Sequence, residues 1–176
     1  MAESTNPNGA VTRFAYDALD RLTRVTDAMQ QATAFGYDAL GRRISLTASV
    51  SFGQPALVET RAFTDNGQLA SVTNANGHTV GFAYDGFDRL ATTTYPRPCP
   101  APCPGPTTET LTYDADSNVL TAKDRAGDVT SFAYDSLNRL VTLTPPNGEP
   151  VVSYRYDQAG RVTTVSDTSS DYGGLR

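Results

Sequence analysis

Phe82-Ala83-Tyr84-Asp85-Gly86-Phe87-Asp88-Arg89-Leu90 is written again at Phe14-Ala15-Tyr16-Asp17-Ala18-Leu19-Asp20-Arg21-Leu22 and at Phe132-Ala133-Tyr134-Asp135-Ser136-Leu137-Asn138-Arg139-Leu140. Looser copies start at Phe35, Leu111 and Tyr154, and a worn copy runs Phe63-Thr64-Asp65-Asn66-Gly67-Gln68-Leu69. An internal repeat decides architecture before any other signal, because each unit packs mainly on its neighbours. With the tyrosine as marker, the copies fall at Tyr16, Tyr37, Phe63, Tyr84, Tyr113, Tyr134 and Tyr156. The intervals are 21, 26, 21, 29, 21 and 22 residues, which predicts seven copies on a base period of 21.

Each period reads as strand, turn, strand, turn. Phe132 and Tyr134 are two apart and share one face of a strand. The residue two before the marker is Phe14, Phe35, Arg61, Phe82, Leu111, Phe132 or Tyr154, and Arg61 alone is neither aromatic nor leucine. The second strand, as in Arg139-Leu140-Val141-Thr142-Leu143-Thr144, is rich in residues that suit a pleated, half-buried surface. The next turn, as in Asn74-Ala75-Asn76-Gly77, offers an Asn-Gly pair for positive φ. A helix over Tyr16 to Leu22 fails on length. In the second strand the apolar residues lie three apart, as in Leu22 and Val25 or Leu140 and Leu143. Either a bulge shifts the phase or both faces are partly covered.

An aspartate follows the marker and an arginine follows four later, in Asp17 and Arg21, Asp38 and Arg42, Asp85 and Arg89, Asp135 and Arg139, and Asp157 and Arg161. Asp114 keeps the acid without the arginine. An aspartate opening a turn accepts N–H groups two residues on, and the arginine pairs with it across the hairpin. The residue before the arginine position is Asp20, Gly41, Gly67, Asp88, Ser117, Asn138 or Gly160, all types that tolerate left-handed backbone or bond locally to backbone. A three-residue loop with one left-handed position follows. The tyrosine and phenylalanine columns read as core rungs of the stack, or as a ladder on which sugars could lie.

Chemistry is hard to place in this pattern. A catalytic carboxylate pair does not recur once per period, each with its own arginine. The Gly-Gly-x-Gly-x-Asp pattern of calcium-binding β-repeats is missing, as are phosphate loops and nucleophile elbows. His78 follows Asn76-Gly77 and reads as a solvated turn residue. The expectation is a chain with no catalytic residues, cofactor or metal. A net charge of -5, with 14 basic residues spread along the chain, opposes a nucleic-acid partner. No apolar run is long enough for a membrane span, and the first nine residues do not form a signal peptide.

The expected organisation is a lead-in over residues 1–11, four repeats over 12–94, a proline-rich insertion over 95–107, three repeats over 108–167, and the start of a further repeat over 168–176. So many prolines favour an extended surface loop. Cys99 and Cys103 lie within it, either as a disulfide or as two thiols.

The Tyr-Asp-x-x-Gly-Arg-Leu core resembles the YD repeat of Rhs proteins, from about Thr12 to about Asp167. The nearest matches are Tyr16 to Leu22, Tyr84 to Leu90, Tyr134 to Leu140 and Tyr156 to Val162. The departures are Phe63-Thr64 and Ser117-Asn118, where cross-strand pairing is expected to be least secure. The resemblance implies an all-β array of hairpins forming a spiral, solenoid-like sheet. In bacterial Rhs proteins and insecticidal toxin components that sheet is a hollow shell around a C-terminal toxin, and in teneurins it is extracellular. It implies a secreted or cell-surface, non-catalytic shell segment. Its partners would be further YD repeats, an enclosed toxin domain or, by its open strand edges, a second copy. The alternative is an adhesion module whose exposed tyrosine and arginine rows bind glycans.

Overall fold

The computed structural model describes residues 2–49, 57–96 and 108–169. Among these there are strands and turns and no helix, and therefore no helix long and apolar enough to cross a membrane. The chain divides into two units, Met1–Gly81 and Phe82–Arg176.

The first unit contains β1 (Ala2–Thr5), β2 (Val11–Tyr16), β3 (Leu22–Thr26), β4 (Ala32–Tyr37), β5 (Arg43–Ala48), β6 (Leu57–Phe63) and β7 (Leu69–Thr73). The division falls within β8 (Thr79–Tyr84). The second unit continues with β9 (Leu90–Thr94), β10 (Thr108–Tyr113), β11 (Val119–Lys123), β12 (Val129–Tyr134), β13 (Leu140–Thr144), β14 (Val152–Tyr156) and β15 (Val162–Asp167). The strands follow one another in a single antiparallel sheet in chain order, a meander with no crossover. Short turns between runs of Thr, Val, Phe and Tyr leave no other economical pairing.

The spacing of three has a definite cause. Tyr16 lies opposite Leu22, Ala15 opposite Arg24 and Phe14 opposite Val25, so Thr23 is an extra, unpaired residue. That bulge brings Leu22 and Val25 onto the face of Tyr16 and Phe14. The same shift occurs before Tyr37, Phe63, Tyr113, Tyr134 and Tyr156. The Thr23 hydroxyl donates to the Ala15 carbonyl at 3.2 Å, and Thr163 to Arg155 at 3.2 Å, tying the bulge down. The bulge reading therefore holds.

The core expectation needs correction. No described residue is buried. A sheet with no second layer against it covers its side chains only with their neighbours in the same face, so the marker rings are half-buried rungs. The proline-rich stretch and Cys99 and Cys103 lie outside the described residues.

Candidate functional site

Every marker turn is built alike. In the first, Asp17 N–H donates to the Arg21 carbonyl at 3.0 Å and Asp20 N–H to the Asp17 carbonyl at 3.1 Å. Asp17 Oδ1 accepts the N–H groups of Leu19 and Arg21 at 2.9 and 3.0 Å, and Oδ2 accepts Arg21 Nε at 2.7 Å. One carboxylate thus closes the loop and orients the guanidinium. The pattern recurs at Asp38 and Arg42, Asp85 and Arg89, Asp135 and Arg139, and Asp157 and Arg161, with ion-pair distances of 2.6 to 2.8 Å. The left-handed position is filled at all seven expected residues, from φ 57° at Asp20 to φ 86° at Gly67.

These bonds hold the acids in their charged form. For Asp17 and Asp157 the Arg21 and Arg161 backbone N–H groups do most to pull the carboxyl below its ordinary range. For Asp85 and Asp135 the side-chain bond from Arg89 or Arg139 leads. Asp114 is lowered chiefly by Asn118. At Asp38 partial desolvation pushes up, but the Arg42 side chain and backbone outweigh it.

The arginine then reaches beyond its own hairpin. The Arg21 guanidinium lies over the Tyr37 ring at 4.9 Å, and its Nη1 donates to the Asp38 carbonyl at 3.2 Å. The Tyr37 hydroxyl donates back to the Leu22 carbonyl at 2.8 Å. Arg89 repeats this on Tyr113 at 4.5 Å, with Nη1 to Asp114 O at 2.8 Å and the Tyr113 hydroxyl to Leu90 O at 2.8 Å. Arg139 does so on Tyr156 at 4.5 Å, with the Tyr156 hydroxyl to Leu140 O at 2.7 Å. Each junction is a reciprocal clamp: cation over ring, guanidinium to backbone, and phenol back to backbone. Clamped arginine side chains are 18% to 28% exposed, whereas Arg161, with no following hairpin described, is 81% exposed.

The two departures keep their turns. Thr64 N–H donates to Gln68 O at 2.8 Å, and Asp114 N–H to Asn118 O at 3.0 Å, so cross-strand pairing survives at both. What changes is the clamp. Arg42 stacks on Phe63 at 4.4 Å, but its buried Nη1 has no partner and Phe63 has no hydroxyl to return. Asn118 reaches only Asp114 Oδ2 and Asn138 Oδ1, both at 2.9 Å. Tyr16 has no arginine-bearing turn before it and is 48% exposed. Tyr84 and its turn residues Asp85 and Arg89 sit at the expected positions.

Sequence reading placed the Asp–Arg pairs and the left-handed residues, and it missed the clamp. The signal was present as the joint recurrence of arginine and the next tyrosine. His78 is an exposed turn residue whose N–H donates to Asn74 Oδ1 at 3.1 Å.

The RHS Repeat family model matches residues 2–29, 16–49, 63–97 and 113–150. No curated protein matches. Among solved structures, TcdB2-TccC3 without its hypervariable C-terminal region aligns with a TM-score of 0.68 at 18% identity over 91% of this chain. TcdB2-TccC3-Cdc42 aligns with a TM-score of 0.68 at 19% identity over 92% of it. The Photorhabdus luminescens Tc holotoxin pore, carrying a TccC3 mutation, aligns with a TM-score of 0.67 at 18% identity over 89% of it. In all three the alignment spans 9% of the other chain, and at such identity the likeness is one of fold.

Proposed function

This chain belongs to the RHS repeat family, and on that footing we propose that it is a wall segment of a larger Rhs shell. The observation that carries the reading is the clamp. At three junctions the recurring arginine and the next tyrosine are spent on each other's hairpins rather than left free for a substrate. Such residues specify how one hairpin seats on the next, which is the work of a wall. In the complete protein the segment would help enclose a C-terminal toxin, at the cell surface or after secretion, without catalysis of its own. Residues 12–94 and 108–167 would form the wall.

The test is a graft. Residues 2–169 would replace the aligned segment of the TcdB2-TccC3 chain. A closed particle by electron microscopy, with a C-terminal region resistant to added protease, is the expected result. A particle whose hairpins are folded but whose C-terminal region is cut freely would overturn the reading.

A further inference from the structure

One rung of the second unit is too small for its neighbours. At the position two before the marker, Phe132 faces Leu143 across the sheet, as Phe14 faces Val25 and Phe35 faces Leu46. In β10 and β11 the same pair is Leu111 and Ala122. Two successive losses of side-chain volume on one face open a groove of about 320 Å³. Leu111, Ala122 and Leu90 line it, and Pro146 stands at its margin. That volume is at the lower end of small-ligand sites.

The rim carries three carboxylates, Glu109, Asp124 and Asp128. Glu109 stands four before the marker, where five other copies carry Thr12, Thr33, Val80, Thr130 and Val152 and only Glu59 is also acidic. Asp124 and Asp128 complete the rim against two cations, Lys123 and the Arg125 beside Glu109. Glu109 is already engaged: it accepts the Tyr95 hydroxyl at 2.9 Å and lies 3.6 Å from Arg125. Asp124 Oδ1 accepts two N–H groups of its own turn, and Asp128 Oδ1 accepts Asn147 Nδ2 at 3.0 Å. The second oxygen of each aspartate has no partner among the described residues.

We propose that this groove receives a peptide segment presenting an arginine or lysine beside an aliphatic side chain. The apolar floor takes the aliphatic group and the stem of the base, and Asp124 and Asp128 take the cationic head. Charge complementarity selects this occupant over an acidic or neutral one. Of these residues only Leu90 touches the clamp, and it does so through its backbone carbonyl, so the proposal stands apart from the wall reading.

The probe is acetyl-Leu-Arg-amide, titrated into the full 176-residue chain and followed by methyl NMR at Leu111 and Ala122. Saturable shifts are expected. Binding should weaken by about tenfold for acetyl-Leu-Glu-amide and in the Asp124→Asn, Asp128→Asn double variant. Ala122→Leu restores the side-chain size of the other rungs, so it should abolish the shifts while leaving the melting temperature equal or higher. Absence of saturation, an equal response to the acidic peptide, or binding retained in Ala122→Leu would each overturn the proposal.

Discussion

The junction between the Arg89 turn and Tyr113 and the junction between the Asn118 turn and Tyr134 lie side by side in the second unit, and they are built differently. Both turns close in the same way, through an aspartate carboxylate and a left-handed fourth residue. Across the first, the guanidinium covers the next ring, bonds the Asp114 carbonyl and receives the tyrosine's hydroxyl bond in return at Leu90. Across the second, Asn118 stops at Asn138 Oδ1, and Tyr134 has neither a stacked cation nor a hydroxyl bond among the described residues. Turn geometry is therefore set within a hairpin. At these two junctions the coupling between hairpins depends on one long side chain, and it is lost where asparagine replaces it.

The largest effect expected from this comparison is collective and acid-dependent. Six aspartates, one at each marker turn that opens on an aspartate, have lowered carboxyl pKa values. A carboxyl whose folded value lies below its ordinary 3.8 adds stability above that pH and loses it as pH falls through the folded value. Denaturation midpoints should hold from neutral pH to about pH 4 and then fall steeply. The acid limb should be shallower in Asp85→Asn, which has one fewer lowered carboxyl. An unchanged limb in that variant would detach the carboxylates from stability.

Next comes Arg89→Ala, which removes the cation over Tyr113, the bonds to the Asp114 carbonyl and Ser117 Oγ, and the ion pair with Asp85. A loss of about 1–2 kcal/mol is expected by urea denaturation. Asn118→Ala should cost less than half of that, and an equal cost would erase the distinction between the junctions. Tyr113→Phe deletes only the hydroxyl bond to Leu90 and should cost about 1 kcal/mol, while Tyr134→Phe, with no such bond to lose, should be near neutral. The smallest effect is at the turn itself. Asp20 has φ 57°, a left-handed backbone that costs an aspartate more than a glycine. Asp20→Gly should raise stability by up to about 1 kcal/mol, measured in the same denaturation series.

What could be read from the chain alone follows the range of each interaction. The Asp-to-Arg bond spans four residues, so its partners recur at a fixed offset and announce themselves. The residues at Asp20, Gly41 and Gly160 were legible for the same reason. The clamp joins Arg21 to Tyr37 but Arg89 to Tyr113, across an insertion that changes the spacing, so no single offset reveals it. The spacing of Leu22 and Val25 fits a bulge or a two-faced strand equally well. Only the pairing of Phe14 with Val25 and Tyr16 with Leu22 separates them. The half-buried state of the rings depends on how many layers cover the sheet, which no local pattern encodes. The groove at Ala122 is legible only once the rungs are aligned by register, because a lone alanine carries no message.

The meander order has a mechanical consequence. Each inner strand pairs with the strands before and after it in the chain, and among the described residues none is held by a distant one. Tension applied between the ends meets these pairings in series, with each strand peeling from its neighbour before the next is engaged. Such a sheet yields by unzipping, in small repeated steps of low force. An arginine clamp raises such a step, as at Tyr113, and its absence lowers it, as at the Asn118 junction.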